Sequence, residues 1–139
     1  MADCFANVPA DRADVLLLAL RRHPQPEADP QLPTDAQWEY ACRAGTRTAH
    51  AWGDAADTGR ANIAQSVEQT TPVKRYPPNP WGLYDMHGNV WEWCADDRRV
   101  FADRPEVDPT GGTEGDTRVL RGGSWSDDAG WARSAWCTN

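Results

Sequence analysis

Two carboxylates, Asp85 and Glu92, bracket the stretch Met86-His87-Gly88-Asn89-Val90. A turn containing Gly lets neighbouring main-chain carbonyls point inward beside such a pair. That gives the hard oxygen donors that calcium takes. A plainer arrangement is equally open, with Asp85 capping a turn and Glu92 exposed on a strand. The cysteines suggest no second centre. Cys4, Cys42, Cys94 and Cys137 stand singly, with no Cys-x-x-Cys and no short Cys/His spacing of the zinc kind. Isolated, reduced thiols suit a cytoplasmic protein. The histidines, His23, His50 and His87, are scattered along the chain. The remaining concentration of donors is Asp96, Asp97, Asp103, Glu106, Asp108, Glu114 and Asp116, set against Arg98, Arg99 and Arg104. It reads as a solvated acidic loop before it reads as a dedicated cation site.

The chain has 139 residues, enough for one compact core. With 21 acidic and 14 basic residues it carries a formal charge of -7, which opposes binding to a phosphate backbone and excludes nucleic acid as the expected partner. The leucine-rich run Val15 to Leu20, between Asp14 and Arg21, is too short to span a bilayer and wrongly flanked for a signal peptide, so no membrane partner is expected. Eight Trp against three Tyr and two Phe make the indoles the natural guide to the core.

Asp11 or Asp14 can cap a short helix through Val15 to Leu20, and the Pro/Glu/Asp stretch Pro24 to Pro30 then serves as a linker. Residues 1–30 thus form an atypical N-terminal segment ahead of a domain over residues 31–139. Thr34 and Gln37 form a capping box for a second helix, which Gly45 can close in the left-handed conformation. Trp38, Ala41 and Cys42 share its core face. Turn residues dominate from Ala49 to Pro80, with a short strand at Val73 to Tyr76. Asn89 to Cys94 alternates, placing Trp91 and Trp93 opposite Val90, Glu92 and Cys94. Arg118 to Trp125 alternates too, with Gly122 and Gly123 marking a bulge or a close backbone approach. Trp131 to Trp136 is a further strand candidate. One or two helices, few short strands and long loops predict an α+β fold.

Several blocks then carry a resemblance: residues 32–41 (LPTDAQWEYA), Trp52-Gly53-Asp54, Ala61-Asn62, residues 78–93 (PNPWGLYDMHGNVWEW) and residues 118–125 (RVLRGGSW). In this order they resemble the formylglycine-generating-enzyme (sulfatase-modifying-factor) family over about residues 31–136. The resemblance implies a C-type-lectin-like fold, poor in regular elements and often pinned by calcium. It assigns a calcium site to the side chains of Asp85 and Glu92 and the main-chain oxygens of Gly88 and Val90. A second family site would begin at Asn62 and Ile63, but no matching downstream acid is evident in residues 65–71.

The family's oxidases bind copper(I) through two cysteines shortly after Gly-Gly-Ser, because soft thiolates suit that ion. The corresponding stretch, Trp125 to Ala132, contains no Cys. No copper is therefore expected. A related group, the variable proteins of diversity-generating retroelements, places its diversified ligand-contacting residues in this stretch. Ser126, Asp127, Asp128, Gly130, Trp131, Trp136, Cys137 and Thr138 fall at those positions, around Ala129 and Arg133-Ser134-Ala135. The expectation is a non-catalytic module that binds a protein or small-molecule ligand there. The alternatives are a family enzyme, formylglycine-generating or sulfoxide-synthase-like, and a truncated inactive member. Residues 5–30 do not resemble the family's usual opening, and the family's closing strand is expected to be missing after Asn139.

Overall fold

A computed structural model of the chain describes residues 32–97, 109, 111–112 and 117–138. All of them lie in one unit, Leu32–Asn139. The helix expected at Val15 to Leu20, its linker and most of the acidic stretch fall outside the described residues.

The one described helix, α1, runs Asp35–Arg43 and begins as its capping residues dictate. Thr34 accepts the Gln37 amide, and the Gln37 side chain accepts the Thr34 amide at 3.0 Å. Ala44, not Gly45, takes the first left-handed position, at φ 46, and Gly45 follows at φ 89. Trp38 and Cys42 are buried on the inner face, whereas Ala41 is only partly covered.

Three two-residue strands, β1 (Glu92–Trp93), β2 (Leu120–Arg121) and β3 (Cys137–Thr138), form an antiparallel sheet in the order β1-β2-β3. Glu92 faces Arg121, which faces Cys137, while Trp93 faces Leu120 and Leu120 faces Thr138. Directly opposed residues share a sheet face, and the Glu92–Arg121 pair lies against α1: Trp38 donates to Glu92 and lies 5.6 Å from the Arg121 guanidinium. The rest is loop fastened by specific bonds. Asn89, at φ 66, accepts the Thr71 amide at 2.8 Å and donates to the Thr71 carbonyl, so its side chain substitutes for a strand partner. Gly88 must be glycine, since a Cβ there would lie 2.2 Å from the Asn62 carbonyl oxygen.

Three expectations fail. Val73 to Tyr76 is turn and bend, with Lys74 at φ 68 accommodating the reversal. The strand expected at Trp131 to Trp136 is instead successive turns, and pairing begins only at Cys137. Most of the indoles do not mark the core: of the eight Trp only Trp38 is buried, and Trp81, Trp93 and Trp131 are 47%, 40% and 40% exposed. The core joins Trp38, Ile63, Met86, Val119 and Leu120 with small residues such as Ala61, Ala132, Cys42 and Cys94. Among the described residues no helix is long and apolar enough to cross a membrane.

Candidate functional site

Arg121 fixes the geometry of the C-terminal segment. Its Nε donates to Asp35 at 2.5 Å, one terminal nitrogen to Glu39 at 3.1 Å, and the other to the carbonyls of Ser134 and Trp136 at 2.8 and 3.2 Å. Arg121 is 1% exposed and Asp35 2%. A buried guanidinium satisfied by two carboxylates and two carbonyls stays charged. The hydrogen bond and charge of Asp35 raise its pKa against the opposing effect of burial. One side chain therefore ties α1, β2 and residues 134–136 together. Gly123 lets the same segment approach closely, since a Cβ there would sit 3.1 Å from the Ala132 amide nitrogen.

The eight residues expected to contact a ligand separate by their surroundings. Asp127 is occupied internally: its Oδ2 accepts the Ser124 amide at 2.9 Å and the Ser124 hydroxyl at 2.5 Å, closing a local turn. Ser126 sits beside Ser124, with hydroxyl oxygens 3.1 Å apart, and its carbonyl accepts from Gln65. Cys137 and Thr138 are partly buried in β3. Asp128, Gly130 and Trp131 are exposed. Trp131 packs edge-on against Trp91 at 6.1 Å and tilted against Trp136 at 5.1 Å, and the Arg133 guanidinium lies 5.7 Å over the Trp136 ring. The structure thus brings Trp131 and Trp136 together with two residues the sequence does not single out, Trp91 and Arg133. Alternation puts Trp91 opposite Glu92 without saying which side is outer, so the sequence carries no clear signal for it.

The calcium-type residues also converge in part. Asp85 adopts the left-handed conformation at φ 58, and its Oδ2 accepts the Lys74 amide at 2.8 Å, as a turn-capping carboxylate does. Glu92 is not exposed as that alternative requires. Its carboxylate is enclosed and accepts the Trp38 indole N–H at 2.5 Å. Burial pushes the Glu92 carboxyl up to about 7, with the Asp85 charge adding to the shift, and burial raises Asp85 as well. Among the described residues neither acid has an ion-pair partner. The main chain of Gly88 and Val90 completes the turn, with the Val90 amide bonded to the Gly88 carbonyl. Among the described residues no group of three or more His, Cys, Asp or Glu converges on one point, so a cation here would rest on these two carboxyls and main-chain oxygens.

His50 and His87 do not remain scattered. Their rings lie 5.4 Å apart, and Trp52 stacks on His50 at 5.0 Å and meets His87 edge-on at 4.8 Å. His87 Nδ1 is 2.7 Å from the Ala132 carbonyl, and Nε2 accepts the Ala51 amide at 3.1 Å. These partners make it a neutral structural histidine, and burial lowers its pKa to about 4. The Cys42 thiol lies 3.5 Å from Nε2, and burial pushes it up to about 12. Nearby, a cavity of about 230 Å³ opens between Trp52, Arg60, Tyr76, Asp85 and Met86. No residue from 126 to 138 lines it.

The model of the sulfatase-modifying factor enzyme 1-like domain matches residues 5–139. The chain belongs to this family. It is 45% identical over 115 residues to the formylglycine-generating enzyme of Streptomyces coelicolor, covering 70% of this chain and 37% of that protein. It is 45% identical over 100 residues to the serine/threonine-protein kinase pkn1 of Chlamydia caviae, covering 68% of this chain and 16% of that one. Among solved structures, Treponema denticola variable protein 1 superposes with a TM-score of 0.72 at 36% identity, over 78% of this chain and 41% of that chain. The chain therefore spans well under half the length of these relatives. The architecture is the C-type-lectin-like fold of the sulfatase-modifying-factor family, and the aromatic surface at Trp131 and the acidic turn at Asp85 are both built on it.

Proposed function

We propose that this sulfatase-modifying-factor domain is a non-catalytic binding module whose ligand surface is the segment after Arg121-Gly122-Gly123-Ser124-Trp125. The observation that carries the reading is Trp131, exposed yet packed between Trp91 and Trp136 on a backbone held by Arg121 and Asp127. Aromatic side chains on a pre-ordered backbone give contact area at little entropic cost, as hot-spot residues do. The similarity to Treponema denticola variable protein 1 supports a segment of the retroelement-diversified kind. A template repeat in the encoding DNA, matching codons 118 to 139 beside a reverse transcriptase, tests that part directly.

The other reading is a family enzyme, supported by the identity to the Streptomyces coelicolor formylglycine-generating enzyme. The thiols argue against copper chemistry. Burial raises the pKa of both Cys42 and Cys94, and Cys137 lies in β3 opposite Arg121. Copper(I) is bound by thiolates, and the stretch Trp125 to Ala132, where the family's oxidases carry their cysteine pair, holds none. A calcium ion held by Asp85, Glu92 and the main-chain oxygens of Gly88 and Val90 would serve structure here by neutralising two partly buried acids. Panning a random-peptide phage library against the whole protein tests the binding surface. Enriched peptides that lose affinity for Trp131→Ala support it, and peptides indifferent to that change refute it.

A further inference from the structure

We propose that the surface of Trp91, Trp131 and Trp136 takes a protein segment carrying a carboxylate beside an apolar side chain, with Arg133 holding the carboxylate. This rests on the reading of that surface as the ligand-binding face and names the chemistry it selects. Arg133 is exposed, its Nε donates to the Gly130 carbonyl at 2.9 Å, and its guanidinium lies over Trp136. Among the described residues no carboxylate forms an ion pair with it. Asp127, an acid close by in the sequence, is turned to Ser124. The guanidinium is thus ordered on one edge and one face, while its two terminal nitrogens remain available. That planar fork matches a carboxylate in bidentate geometry, and little ordering is left to be done on binding.

The neighbouring surface sets what must accompany the acid. Trp131 presents apolar area directly beside the Arg133-covered Trp136 ring. Trp131 meets Trp91 and Trp136 at centroid distances of 6.1 and 5.1 Å, so the indoles pack on one another and present a joined apolar face. The cavity of about 230 Å³ is lined by other residues, so the ligand here lies across a surface and is not enclosed. A chain of net charge -7 does not gather acids indiscriminately, and a carboxylate must be recognised at a specific cation.

The test pans the same random-peptide library against the wild-type protein and measures selected peptides on Arg133→Gln, Arg133→Lys and Trp131→Ala. The expected peptides carry Asp or Glu next to Trp, Phe or Leu. Their affinity falls roughly tenfold or more on Arg133→Gln, because a charge-assisted bond is lost, and less on Arg133→Lys. Changing the peptide's own Glu to Gln produces the same loss on wild-type protein, which keeps the test valid if an Arg133 variant fails to fold. Peptides that lack an acid, or that bind Arg133→Gln as tightly as wild type while losing affinity for Trp131→Ala, overturn the carboxylate assignment and leave the surface reading standing. Peptides indifferent to both variants, or no enrichment at all, overturn both.

Discussion

The substitution Glu92→Gln should make the protein more stable at neutral pH and expose an acid sensitivity that the wild type conceals. Glu92 is held at about 7 instead of 4.5, so the native state keeps its proton while the unfolded chain releases it. Between those values stability falls as pH rises, by about 3 kcal/mol. His87 is held at about 4 instead of 6.5, so the unfolded chain takes up a proton that the native state refuses. It contributes stability that is fully present above 6.5 and lost as pH falls toward 4, again by about 3 kcal/mol. The two slopes oppose each other over nearly the same window and largely cancel. The substituted amide keeps an acceptor for the Trp38 indole and removes the titration. Urea unfolding followed by Trp fluorescence, in chelator and across about pH 4 to 8, should give matching stabilities for variant and wild type near pH 4.5. The variant should gain on the order of 3 kcal/mol by pH 7. Millimolar calcium should raise wild-type stability at neutral pH, by mass action on the native state, and leave the variant unchanged. Parallel pH profiles, or a variant less stable than wild type at neutral pH in chelator, would refute the reasoning.

Arg121→Ala removes the guanidinium from buried Asp35 and from the carbonyls of Ser134 and Trp136; chemical denaturation should show a loss of about 3 to 5 kcal/mol. Gly88→Ala drives a methyl group into the Asn62 carbonyl at a left-handed position, and thermal unfolding should report a loss of about 2 kcal/mol or more. Copper(I) titration against a competing chelator should show no tight stoichiometric site; a tight site would restore the oxidase reading.

What was legible in the sequence was local. The Thr34–Gln37 capping box needs only four consecutive residues, and it forms as its residue types require. The alternation at Asn89 to Cys94 separates Trp93 from Glu92 but does not say which side is inner, and the strand itself shortens to two residues, because its length is set by the partner strand. The Arg121 hub could not be read, since its Asp35 partner lies 86 positions away and Ser134 lies 13 away. The pairing of His50 with His87 is hidden in the same way. Trp misleads because an indole buries well against another indole at the surface, as Trp131 does between Trp91 and Trp136, without entering the core. Asp127 falls at a ligand-contacting position by the family resemblance, and the local bond of its carboxylate to Ser124 is not visible in that resemblance.

The central claim, that the Trp131 surface is the working part of this domain, is tested most directly by the dissociation constant of a library-selected peptide on wild type and on Trp131→Ala. Loss of a central aromatic anchor should weaken binding by about 2 kcal/mol or more, roughly thirtyfold, with the thermal midpoint unchanged. Equal affinity on both proteins would contradict the account.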